Sequence, residues 1–124
     1  MYWLVSGSRE FPDKKLAKSV MRCLFQPGDI VIHGMARGVD TWAFEIAKSK
    51  GLSQIKCPAE WEKHGKSAGI KRNIDMVDLL MKKSDIAPIR ALVFWDGESH
   101  GTKHTLLTCE QKGIPITLVR VSYD

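Results

Sequence analysis

Cysteine is scarce in this chain, with three among 124 residues: Cys23, Cys57 and Cys109. An odd count at wide spacing does not make a disulfide framework, and no CxxC pair or Cys/His group has zinc spacing. Reduced thiols in a cytoplasmic protein are the simplest reading. Long apolar runs are also missing. None approaches the ~20 residues of a membrane span. The first ten residues, MYWLVSGSRE, lack the basic lead and apolar stretch of a signal peptide. Repeats, low-complexity tracts and an interdomain linker are absent, so a single domain over 1–124 is expected. Neither GxxxxGK[ST] nor GxGxxG occurs, which excludes a Walker loop and the usual dinucleotide fingerprint.

The composition that remains is that of a globular domain, 44% hydrophobic and 27% charged. The formal net charge of +5 suits an anionic ligand and would also suit nucleic acid. Apolar runs alternate with helical patterns. Strands are expected at 2–6, 29–33, 54–58, 91–95 and 115–121. Helices are expected at 13–25, 40–50, 68–83 and 101–112. Asp13 is placed to cap the first, and Gly51 and Gly113 stop the second and fourth. In the helix over 68–83, Ile70, Ile74, Val77 and Met81 share one face. The pattern predicts an α/β, Rossmann-like three-layer sandwich. Its five-stranded, mainly parallel sheet has the order 3-2-1-4-5, with helices on both faces. Ligands of such sheets bind beyond the carboxyl ends of the strands, at the switch between strands 1 and 4.

The unusual residues gather at that edge. After the first strand comes SGSREF, where Gly7 allows a sharp turn and Ser8 and Arg9 can hold an anion. After the second comes HGMARGVD. Here Gly34, Arg37 and Gly38 precede a helix start, a natural anion site. Asp40 either caps that helix or meets a sugar hydroxyl, and His33 is read as half-buried at a strand end. After the third comes PAEWEKHGKSAGIKRN. Trp61 can stack on a base or seat the loop, while Lys66, Arg72 and Asn73 can face the crevice. After the fourth comes DGESHGTKH. Gly97 and Gly101 permit close approach, Ser99 and Thr102 offer hydroxyls, and Lys103 adds charge to the N-terminus of a helix. His100 and His104 lie four apart, but no neighbouring carboxylate or thiol completes a metal site, so no metal is expected.

Four segments, SGSREF, IHGMARGVDTWA, CPAEWEKHGKSAGIKRNIDM and FWDGESHGTKHTLLTCEQKGIPI, resemble in order and spacing the YspA/YpsA-related branch of the SLOG superfamily. That superfamily joins DprA-like and Lonely Guy-like proteins. The resemblance implies a Rossmann-like domain that binds a nucleotide or nucleotide-derived sugar phosphate, as a sensor or processing domain. Lonely Guy enzymes, which cleave nucleoside monophosphates to base and ribose phosphate, carry PGGxGTxxE. Gly101 and Thr102 keep its Gly-Thr, but Thr105 stands where that motif has Glu.

Two other readings stay open. A phosphoribohydrolase-type enzyme cleaving the N-glycosidic bond needs a carboxylate near the sugar. Asp96 and Glu98 are its catalytic candidates, with Glu10, Asp40 and Glu60 behind them. DprA-like nucleic-acid binding is disfavoured because the basic residues are scattered. No cofactor is firmly implied, though a nucleotide could bring Mg²⁺ with it. Met76, Leu79 and Leu80 lie off the core stripe expected for the 68–83 helix, and Phe44 off that of the second. This predicts a homodimer or higher oligomer through the 68–83 helix, unless the loop over 84–90 covers those residues.

Overall fold

The computed structural model describes residues 1–121. Five strands, β1 (Tyr2–Gly7), β2 (Ile30–His33), β3 (Ser53–Lys56), β4 (Ile89–Trp95) and β5 (Ile116–Arg120), form one sheet of order β3-β2-β1-β4-β5. Every pairing is parallel, for example Leu4 with Ile32 on one side and with Ala91 on the other. The helices are α1 (Lys14–Leu24), α2 (Val39–Ser49), a short α3 (Trp61–His64), α4 (Ala68–Lys83) and α5 (His100–Gln111). A 3₁₀ turn at Gly65–Ser67 joins α3 to α4.

Side chains alternate across a strand, and β1 shows the consequence. Trp3 and Val5 enter a core with Ala17, Met21 and Phe25 from the α1 side and Val39, Ala43 and Ile46 from α2. Leu4 points the other way, into a core with Met76, Val77 and Leu80 of α4 and Leu106 and Cys109 of α5. The expected three layers and strand order are therefore present. Asp13 caps α1, accepting the Leu16 N–H at 2.9 Å.

The core face of α4 is a correction. Ile70 and Ile74, expected inside, are 37% and 38% exposed, while Met76 and Leu80, expected outside, are buried. Leu79 is partly buried against the same core. Both apolar sets have helical spacing, so periodicity alone cannot choose between them. The polar residues decide the helix rotation. Arg72 stands one turn before Met76 and two before Leu80, so the buried face also aims Arg72 at the carboxyl edge of the sheet. Phe44 is half-buried, edge-on to the His33 ring at 6.2 Å. The apolar residues named for self-association thus pack largely within the chain. The stretch 59–67 before α4, where no element is expected, contains the short α3 and its 3₁₀ turn, neither with a buried residue.

Candidate functional site

The loops after β1, β2 and β4, together with the start of α4, enclose an open cleft of about 610 Å³ beyond the carboxyl ends of β1 and β4. The β1–α1 loop is fixed from below. Ser8 donates its N–H to the Phe94 carbonyl at 3.0 Å, and Phe11 sits edge-on to Phe94. The Ser8 hydroxyl accepts the Asp96 N–H at 3.3 Å and lies 3.5 Å from the Thr102 hydroxyl, tying the ends of β1 and β4 to the first turn of α5. This leaves Arg9 exposed at the cleft, its guanidinium 5.5 Å from the centre of the Trp61 ring. Among the described residues Arg9 has no carboxylate partner. Arg37 does have one, in Glu10 at 2.6 Å, with both side chains 71% exposed.

Arg72 is the other converging cation. It crosses from α4 to the β2–α2 loop, donating from Nη1 to the Gly34 carbonyl at 2.7 Å and from Nε to Asn73 Oδ1 at 2.8 Å. Gly34 makes the crossing possible, since a Cβ there would lie 2.2 Å from the Arg72 guanidinium. Gly38 serves a similar end. Its φ is +76° and a Cβ would come within 2.6 Å of the Arg9 carbonyl oxygen, so only glycine brings the two loops this close.

Asp40 does not cap α2, whose N-cap is Gly38. Its Oδ2 instead accepts the N–H groups of Gly34 and Ala36 at 3.1 and 3.3 Å, holding the loop that seats Arg72. Burial pushes the Asp40 carboxyl above its ordinary value, only partly offset by the Ala36 N–H, the Arg72 charge, His33 and the Gly34 N–H. Burial also pushes Arg72 down, Asp40 pulls it back up, and the nearby charge of Arg9 lowers it again. Two cations facing one space repel each other, and an anion between them would relieve that. His33 is fully buried rather than half-buried. Its Nε2 meets Gln54 Oε1 at 2.7 Å and its Nδ1 accepts the Met35 N–H at 3.3 Å. The contact at Nδ1 fixes the proton on Nε2, and the ring is a prop for the β2–α2 loop.

On the third side, Asp96 accepts the N–H groups of Glu98 and Ser99 on Oδ1, each at 2.9 Å. Burial alone would raise its carboxyl, but Ser99, Glu98 and the Ser8 hydroxyl outweigh it and hold Asp96 below the ordinary range. Ser99 caps α5, accepting the Thr102 N–H at 3.4 Å and donating to the Thr102 hydroxyl at 3.1 Å. The His100 and Gly101 N–H groups then head the helix without intrahelical acceptors. A Cβ on Gly101 would meet nothing within 4 Å, so that turn is open to the cleft it lines. Thr105 is buried, its hydroxyl donating to the Gly101 carbonyl at 3.2 Å.

Of the residues picked from the sequence, Gly7, Ser8, Arg9, Glu10, Arg37, Asp40, Lys66, Arg72, Asn73, Asp96, Glu98, Ser99, Gly101 and Thr102 line the cleft. Gly34, Gly38, Glu60, Trp61, Gly97 and Lys103 do not. Gly34 and Gly38 lie beneath it as spacers, Trp61 backs Arg9, Gly97 lies under Arg120, and Lys103 is exposed on α5. Ser6, Ala36, Gly69 and Ile70 line it without having been singled out. Gly69, Ile70 and Asn73 follow Lys66 at helical spacing, a signal the sequence did contain. Among the described residues no three or more His, Cys, Asp or Glu are grouped to hold a metal ion, and no helix is long and apolar enough to cross a membrane.

A family model described as the YspA, cpYpsA-related SLOG family matches residues 3–64. These run from β1 to α3 and include the β1 and β2 loops, but not Arg72 or α5. The Gene 61 protein of Mycobacterium phage D29 is 34% identical over 123 residues, covering 91% of each chain.

Proposed function

Because the chain belongs to the YspA, cpYpsA-related SLOG family, we propose that its cleft binds a nucleotide or nucleotide-derived sugar phosphate, as a sensor or processing domain. The observation that carries this reading is the convergence of Arg9 and Arg72 on one space headed by the open first turn of α5. The phosphate would sit against the His100 and Gly101 N–H groups and between the two guanidinium groups. The sugar would reach toward Asn73 and the exposed Glu98. A base lying over the Arg9–Trp61 pair would stack on a platform already formed. A cleft of about 610 Å³ suits a ligand of mononucleotide size.

Binding is favoured over N-glycosidic cleavage by the state of the carboxylates. Asp96 is held ionised by backbone N–H groups, which suits a loop organiser better than a general acid. Position 105 offers a buried hydroxyl where the Lonely Guy motif has Glu. Mg²⁺ would come with a polyphosphate ligand rather than on a protein site.

Calorimetric titration with AMP, ribose 5-phosphate and adenosine tests the reading. The two phosphate compounds should bind and adenosine should not. Arg9→Gln should weaken AMP about tenfold to a hundredfold, the usual range for a charge-assisted contact, without altering the melting temperature. AMP binding that is equal in both proteins would refute the site. Release of free adenine would instead establish the hydrolase. Tight oligonucleotide binding with a steep salt dependence would establish nucleic acid as the ligand.

A further inference from the structure

Arg72 lines two clefts. The second, about 470 Å³, lies beyond the end of β3, between α3 and the first turns of α4. The two are separated by the Arg72 side chain and the start of α4. Gly69, Ile70 and Asn73 face the first cleft, Lys71 and Asp75 face the second, and Arg72 faces both.

The second cleft has its own charge pattern. Lys63 and His64 share a single carboxylate, Glu60, at 3.8 and 3.9 Å. Those distances are long for ion pairs, and the Glu60 side chain is 63% exposed, so the pairing is weak. Lys71 has no ion-pair partner among the described residues, and Asp75 and Glu60 are the carboxylates that line the space with Lys63, Lys71 and Arg72. Cations therefore outnumber carboxylates around this space. Arg72 is already anchored through Nη1 to the Gly34 carbonyl and through Nε to Asn73, so it sits as a fixed divider rather than a swinging arm.

We propose that the second cleft is a subsite for a second phosphate, and that the natural ligand is a nucleotide with two separated phosphate groups bridging the clefts across Arg72. This rests on the first cleft holding the first phosphate, as proposed above. A mononucleotide fills only one side of Arg72. A ligand with a phosphate on each side meets Lys71 and Lys63 as well and neutralises both faces of the divider.

The test compares AMP, adenosine 3′,5′-bisphosphate and the 5′-phosphorylated dinucleotide pApA on the full chain, with wild type, Lys71→Glu and Lys63→Glu. Both lysines are exposed, so neither substitution should disturb the fold. The expected result is that at least one two-phosphate ligand binds tenfold or more tighter than AMP. Each charge reversal should remove that advantage and leave AMP affinity unchanged. AMP binding with no gain from a second phosphate would overturn the inference and leave the first cleft standing. A gain that survives both reversals would overturn it as well, by placing the second phosphate elsewhere. Failure of all three ligands to bind would remove the first cleft, and this subsite with it.

Discussion

At the residue scale, the glycines separate into distinct roles that the sequence shows only as a shared letter. Gly34 and Gly38 were read as part of an anion-binding helix start, but they act as spacers, beneath Arg72 in one case and beside the Arg9 carbonyl in the other. That difference depends on long-range packing and has no local signature. Gly34→Ala should push Arg72 off its seat. We expect a loss of about 1–3 kcal/mol in chemical denaturation and a large loss of AMP affinity. Unchanged stability would mean Arg72 moves aside freely. Asp96 gives a prediction in pH. Its folded pKa lies below the ordinary 3.8, so its stabilising contribution is full above that value and is lost as pH falls through the folded one. Asp96→Ala should cost about 2 kcal/mol at pH 7, typical for a buried contact to a charged acceptor. The gap should close in acid, as pH falls below 3.8 and through the lowered folded value. A gap constant from pH 7 to pH 2 would show that the ionised carboxylate is not what holds the loop.

At the element scale, α5 and α4 teach opposite lessons. The head of α5 was readable to within one residue because the small and polar residues after β4 are a local signal, although Ser99, read as a hydroxyl for a ligand, is in fact the cap that accepts the Thr102 N–H. Ser99→Ala should lower stability by about 1 kcal/mol in denaturant titration. No change would mean the cap is replaced by solvent. The rotation of α4 was not readable, because Ile70 and Ile74 offered as good a stripe as Met76 and Leu80. Its direction follows from Arg72 needing a carbonyl and Met76 needing the sheet. α3 was missed because a four-residue helix has too short a period to register. Its Trp61 is 49% exposed, so Trp61→Ala should leave the melting temperature nearly unchanged. It should weaken AMP severalfold through loss of the Arg9 platform. A drop in stability with no effect on AMP would assign Trp61 to the fold instead.

At the scale of the whole molecule, the sheet was the most legible feature. Short apolar runs separated by helical patterns permit few arrangements once crossovers are right-handed, and the 3-2-1-4-5 order followed. The location of the cleft came with it, because the switch between β1 and β4 is where the loops diverge. Self-association is a different matter. Of the α4 residues, Ile70 and Ile74 are the exposed large apolar ones, and Ile70 also lines the cleft. An oligomer through α4 would therefore form around Ile74. Light scattering should give a multiple of 14.0 kDa that Ile74→Glu reduces to one chain, and a 14.0 kDa particle in the wild type would remove the oligomer. The central claim, that a phosphate is held where Arg9, Arg72 and the head of α5 meet, is tested most directly by amide chemical-shift mapping during an AMP titration. The account predicts saturable shifts concentrated at Ser8, Arg9, His100, Gly101 and Thr102, with smaller ones at Gly34 through its contact with Arg72. Shifts confined to other surfaces, or none at millimolar AMP, would contradict it.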